Sequence, residues 1–182
     1  SMVKACVDAV MEKHGHIDIL VNNAGVCKLE TFEKMDDSLR DYHFDINIKG
    51  TWNVSKAVVP YMKKNDSSSI INLSSVTGPL VADSGEVAYA TTKAALLGFT
   101  KSLAMELVDD NIRVNAVAPG YVDTPILALA PEEMKKAMAN SLPIGRLGLD
   151  TEIASAICFL LSDEASFITG SILTCDGGFT AM

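Results

Sequence analysis

Apolar residues in this chain recur with two alternating periods, and each change of period marks an element. Val3, Cys6, Val7, Val10 and Met11 lie on one stripe of a helix that Gly15 ends, which predicts a helix over Met2–His14. Residues 17–21 are short, β-branched and apolar on both faces, so they read as a buried parallel strand. That strand runs into Asn22-Asn23-Ala24-Gly25, where the backbone must turn sharply. From Asp36 onward, Leu39, His43, Ile46, Gly50, Val54, Ala57 and Tyr61 return every three or four residues. This predicts one long helix, bent or shortened by Pro60.

Residues 65–69 read as a loop and 70–73 as a second buried strand, closed by Ser74-Ser75. The segment 76–87 holds two glycines and a proline and reads as a further loop. The next helix, from about Tyr89 to about Val108, is apolar on two sides. Ala90, Ala94, Leu97 and Ala104 form one, and Leu96, Phe99 and Leu103 the other. Such a helix packs against something besides its own sheet. Residues 113–118 give a third strand, ended by Pro119-Gly120. Residues 126–141 are helical around Pro131-Glu132-Glu133, and 151–161 form a helix with Thr151 as its cap. A last strand covers 172–175, before Asp176-Gly177-Gly178. Strands alternating with helices at this spacing predict an α/β fold with a parallel sheet and right-handed crossovers. No repeat or linker divides residues 1–182, which read as a single domain.

Charge and composition narrow the function. A formal net charge of −8 argues against a nucleic-acid partner and against adhesion to anionic membranes. No apolar run approaches the about 20 residues of a membrane span, and no signal segment is recognisable at the start. Cys6, Cys27, Cys158 and Cys175 are scattered and read as reduced thiols of a cytoplasmic protein. His14, His16 and His43 lack metal-site spacing and read as ordinary surface or helix histidines, so no metal site is expected.

The candidate chemistry lies where the strands end. In an open parallel sheet, ligands gather outside the carboxyl ends of the strands. Those ends carry Asn22 to Gly25, Ser74-Ser75, and Pro119-Gly120 with Thr124 close behind. Tyr89 and Lys93, four apart on one helix face, open the helix after the second strand. An ammonium beside a phenol favours the phenolate and makes an acid/base usable near neutral pH.

Asn22-Asn23-Ala24-Gly25, Asn47, Ser75, Tyr89-x-x-x-Lys93 and Pro119-Gly120 together resemble the successive motifs of the short-chain dehydrogenase/reductase family, along essentially the whole chain. The resemblance implies a Rossmann-like doubly wound fold and an NAD- or NADP-dependent oxidoreductase acting on a secondary alcohol or ketone. It makes Tyr89 the acid/base and places Ser75 on the same substrate oxygen. Ser75 is preferred to Ser74 because it stands fourteen residues before Tyr89 and begins a Ser-x-x-Gly pattern that ends at Gly78. Lys93 would lower the Tyr89 pKa and grip the nicotinamide ribose, and Asn47 would hold a water. Asn22, Ala24 and Gly25 would line the adenosine side, while Pro119, Gly120, Val122 and Thr124 would border the nicotinamide. Val76, Pro79, Leu80, Val81, Tyr121, Ile126 and Leu127 would form an apolar substrate site, with Glu86 as a polar contact. The family's common tetramers imply a homo-oligomer, dimer or tetramer.

One departure stands out. The family opens with a strand, a Gly-rich turn and a helix that cradle the pyrophosphate, and the twelve glycines here contain no such cluster. The chain therefore reads as the C-terminal portion of the fold with its first strands missing, and a longer parent protein is favoured. A sheet so cut would leave the 17–21 strand with an unpaired edge and exposed apolar faces. The alternative is a cofactor-free fragment that acts only through interactions.

Overall fold

The computed structural model describes residues 2–128 and 130–181. The first half comprises α1 (Met2–His14), β1 (Ile19–Asn22), α2 (Asp37–Phe44), α3 (Thr51–Met62), β2 (Ser68–Leu73) and α4 (Val87–Leu107). The second comprises β3 (Ile112–Pro119), β4 (Val122–Asp123), α5 (Pro125–Ala128), α6 (Glu132–Ser141), β5 (Gly148–Leu149), α7 (Asp150–Leu161) and β6 (Ile172–Cys175). Four strands form one parallel sheet in the order β1-β2-β3-β6. Helices α1, α3 and α4 cover one face and α7 the other, which is the α/β, doubly wound Rossmann-like arrangement expected.

The alternation along the strands builds two cores. Ile70, Ile112 and Val114 meet Val58, Met62, Ala104 and Leu107 on the first face. Ile71, Leu73 and Val117 meet Leu160 on the second. Burying each large aliphatic side chain stabilises by roughly 1.5–3 kcal/mol. β2 is therefore anchored from both sides and carries its polar carboxyl end to a fixed place.

Several local expectations are corrected by packing. β2 begins at Ser68, because Ser68 and Ser69 pair with Ile112 and Arg113 although serine favours loops. The strand read as buried lies at the sheet edge, with Ile19 52% and Val21 38% exposed, which are the exposed apolar faces expected beside an unpaired edge. The unpaired edge is as expected. Thr151 is not a cap: Glu152 accepts the Leu149 N–H at 2.8 Å, and Asp150 accepts that of Thr151 at 2.7 Å. His43 is one of the expected helix histidines, fully buried in α2; it accepts the Lys28 N–H at 3.0 Å and sets its other ring nitrogen 2.8 Å from the Leu39 carbonyl. The long helix is present, with Asp36 accepting the Leu39 N–H at its start. Pro60 lies inside its last turns. Between α2 and α3, however, Asp45–Gly50 is wound as a π-helix, a rare turn that is common at functional sites. The 126–141 stretch is divided into α5 and α6, with Pro131 immediately before α6 and two glutamates in its first turn.

Candidate active site

Because the strands run in register, their carboxyl ends finish on one edge. Asn22 lies beside Asn72, Leu73 beside Val117, and Pro119 beside Cys175. The loops that follow therefore emerge together, and α4 starts above the end of β2. The short pair β4–β5 ties Val122 and Asp123 to Gly148 and Leu149, which holds the loop after β3 against the start of α7. Gly120 packs so closely on β6 that a Cβ would stand 2.9 Å from the Asp176 Cα.

Buried polar groups lock this edge. Asn22 donates to Ser55 Oγ at 3.0 Å and to Asn72 Oδ1 at 2.8 Å, and Asn72 donates to Thr100 Oγ1 at 2.9 Å. Asn47 Oδ1 accepts the Val26 N–H at 2.8 Å, while its amide donates to the Val26 carbonyl at 3.0 Å and to Thr92 Oγ1 at 2.9 Å. The π-helix thus carries the side chain that fastens the loop after β1 to α4. Ser74 Oγ donates to the Lys93 carbonyl at 2.8 Å.

Lys93 is 5% exposed and gives its ammonium to the Leu73 carbonyl at 2.7 Å. Burial is the main cause that lowers its pKa to about 8. Gly25 leaves the approach to this ammonium open, because a Cβ there would stand 3.3 Å from Lys93 Nζ and 3.5 Å from Asn47 Oδ1. Tyr89 lies one turn earlier, with Lys93 Nζ 5.7 Å from its ring centre. Burial raises the Tyr89 pKa above its ordinary value, and a hydrogen bond with Ser75 pulls it back. Ser75 Oγ also accepts the Thr77 N–H at 3.1 Å. A lowered Tyr89 pKa was expected from Lys93. Here desolvation raises it instead, and the ammonium is directed to the Leu73 carbonyl.

A cleft of about 470 Å³ opens over these groups. It is lined by Ser75, Tyr89, Pro119, Gly120, Val122 and Thr124 from the expected set, and by Val76, Tyr121, Leu127 and Glu86 from the expected substrate loops. Lys93, Asn47 and Gly25 meet behind it. Ala24 is exposed on the loop after β1. The Asn22 side chain turns away into the layer between sheet and helices. Sequence reasoning missed Cys27 and Asp150 in the cleft wall. It also missed Thr92, which bridges Asn47 to the Tyr89 carbonyl, accepting at 2.9 Å and donating at 2.8 Å. One-turn spacing from Tyr89 was the signal available for Thr92.

The buried ammonium has a measurable consequence. The Lys93 pKa in the folded protein, about 8, lies below the ordinary 10.5. Below pH 8 the burial penalty is present in full, and it is relieved as pH rises toward 10.5. Between those values the protein should gain about 3 kcal/mol of unfolding free energy relative to Lys93→Met. Urea midpoints of both proteins at pH 8 and pH 10 test this, and parallel behaviour would contradict the burial of a charged Lys93.

A parallel doubly wound sheet with a Ser–Tyr–Lys group at its carboxyl edge defines a class, and the chain belongs to it: the short-chain dehydrogenase/reductase family. A family model described as enoyl-(acyl carrier protein) reductase matches residues 1–180. Oxidoreductase UcpA of Escherichia coli (strain K12) is 50% identical over 186 residues, covering 98% of this chain and 71% of that protein. The 3-oxoacyl-[acyl-carrier-protein] reductase FabG of Thermotoga maritima is 43% identical over 176 residues, covering 97% and 71%. Ligand-free aldohexose dehydrogenase of Thermoplasma acidophilum superposes with a TM-score of 0.94 at 36% identity, covering 99% of this chain and 74% of that one. The chain is an oxidoreductase of this family's type.

Proposed function

We propose that the protein transfers hydride between NAD or NADP and a secondary alcohol or ketone, with Tyr89 as the acid/base. The observation that carries this reading is that Ser75 and Tyr89 line one largely apolar cleft, with the Lys93 ammonium on the next turn. Ser75 holds the substrate oxygen beside the Tyr89 hydroxyl. In reduction the phenol gives its proton to that oxygen, and in oxidation the phenolate removes one. Lys93 faces the exposed Ala24–Gly25 loop and is the group that would meet a ribose. Asn47 would act by fixing that loop, and a water would have to share an acceptor already engaged, Oδ1 with the Val26 N–H or the carbonyl with Thr51. A bound nicotinamide would supply or take up the hydride. Asn22 would reach the cofactor only through its backbone.

Because burial keeps the Tyr89 phenol protonated at neutral pH, alcohol oxidation should speed up about tenfold per pH unit between pH 6 and 8. Reduction should stay level over the same range. Oxidation independent of pH would remove Tyr89 as the base.

The glycine cluster that cradles a pyrophosphate is not among these residues. Titration of the 182-residue chain with NADH and NADPH should therefore show binding weaker than micromolar. Micromolar affinity would overturn that expectation, and turnover is best measured at millimolar cofactor. A homo-oligomer is supported by the outer side of α3 and α4, where Trp52, 55% exposed, packs on Phe99 at 5.4 Å between ring centres. None of the described helices is long and apolar enough to cross a membrane.

A further inference from the structure

One oxygen in the cleft wall is out of keeping with its surroundings. Glu86 stands just before α4, one turn ahead of Tyr89, and its Oε2 is buried without a hydrogen-bond partner among the described residues. A buried carboxylate oxygen is among the costliest groups to leave without a donor, and most buried polar groups in native proteins have one. The side chain does not earn its place by capping, since it accepts no N–H from the first turn of α4. Its own surroundings are acidic and apolar. Burial and the nearby Asp83 raise the carboxyl pKa, and a hydrogen bond with Thr77 lowers it. Its charge in turn bears on Tyr89 and on Cys27, which line the same cleft.

The other cleft walls restrict what could donate to it. Among the described lining residues the charged ones are Glu86 and Asp150, so a carboxylate or phosphate on the substrate would be repelled. Val122, Leu127 and Ile153 favour an apolar carbon frame. Glu86 lines the cleft one turn ahead of Tyr89, and the broad terminal torsion of a glutamate lets its carboxylate turn to meet an occupant. An ammonium donor would meet the like charge of Lys93 beside Tyr89, so a hydroxyl on an uncharged frame is the donor that fits.

We infer that Glu86 is a specificity-determining residue that accepts a hydrogen bond from a hydroxyl on the carbon next to the reacting one. The substrate class is then uncharged vicinal diols and the hydroxyketones they form. This rests on the dehydrogenase reading above. Polar sites built for a hydroxyl discriminate strongly against analogues that lack it, because the buried acceptor is left unpaired.

The test compares cyclohexanol with trans-cyclohexane-1,2-diol, using the parent protein, Glu86→Ala and Glu86→Gln at millimolar NAD and NADP. The quantity read is the ratio of kcat/KM for the diol to that for the simple alcohol. The parent should favour the diol about tenfold or more. Glu86→Ala should bring the ratio close to one, with Glu86→Gln in between because an uncharged acceptor remains. Loss of activity on both alcohols at a constant ratio would mean a structural role and overturn the assignment. A parent that oxidises both without preference would overturn it too, while leaving the dehydrogenase intact. Oxidation of neither would overturn the dehydrogenase reading itself.

Discussion

Tyr89→Phe should lower kcat by about 10²–10⁴-fold, the usual contribution of a positioned acid/base. The change removes one hydroxyl and leaves the ring in place beside Lys93 Nζ, 5.7 Å away. Thr92, which bonds the Tyr89 carbonyl rather than its side chain, still fixes the backbone of this turn. The melting temperature should therefore stay close to that of the parent, and cofactor binding should change little. Steady-state kinetics in both directions, with thermal unfolding as the control, separate chemistry from folding. Retained turnover would refute Tyr89 as the proton carrier.

Gly78→Ala should be the most damaging single-methyl change near the site. Gly78 has φ +102°, a region that other residues rarely adopt. An added Cβ would overlap the Ala90 carbonyl oxygen and stand 2.9 Å from its carbon. That carbonyl belongs to the helix turn bearing Tyr89, and the Gly78 N–H bonds the Val81 carbonyl at 2.8 Å, so neither side gives way easily. Strain and overpacking together should cost about 2–5 kcal/mol. A shift of the Tyr89 turn by about 1 Å relative to Ser75 should also cost roughly 10²-fold in kcat. Urea unfolding and kinetics on the same preparation test both parts. Parental stability and turnover would show that the loop is looser than its packing implies.

Most of the fold can be read locally. The helix over Met2–His14 and the strand over Ile172–Cys175 coincide with the predicted spans, because each follows from the apolar period of its own residues. The site was legible in outline for a related reason: in a parallel sheet every strand end faces one edge, so the order of motifs already places Ser75, Tyr89 and Pro119 together. Residues whose state depends on distant partners were not legible. Ser68 and Ser69 become strand because two neighbouring strands pair with them. Asn47 sits on a π-helix, invisible in a pattern of threes and fours, and bonds Val26 twenty-one residues away. Asn22 reads as a turn former or a cofactor contact, and nothing local shows that its side chain holds Asn72 and Ser55.

By itself, then, the sequence determined the α/β class, the order of elements and which residues stand at the strand ends. Periodicity and turn chemistry are properties of neighbours along the chain. Tertiary structure alone decided the electrostatic state of those residues and the shape of the cleft around them. Lys93 loses basicity and Tyr89 loses acidity because the layers that bury them come from sequence-distant segments. Desolvation depends on everything that packs around a group, and no local pattern encodes it.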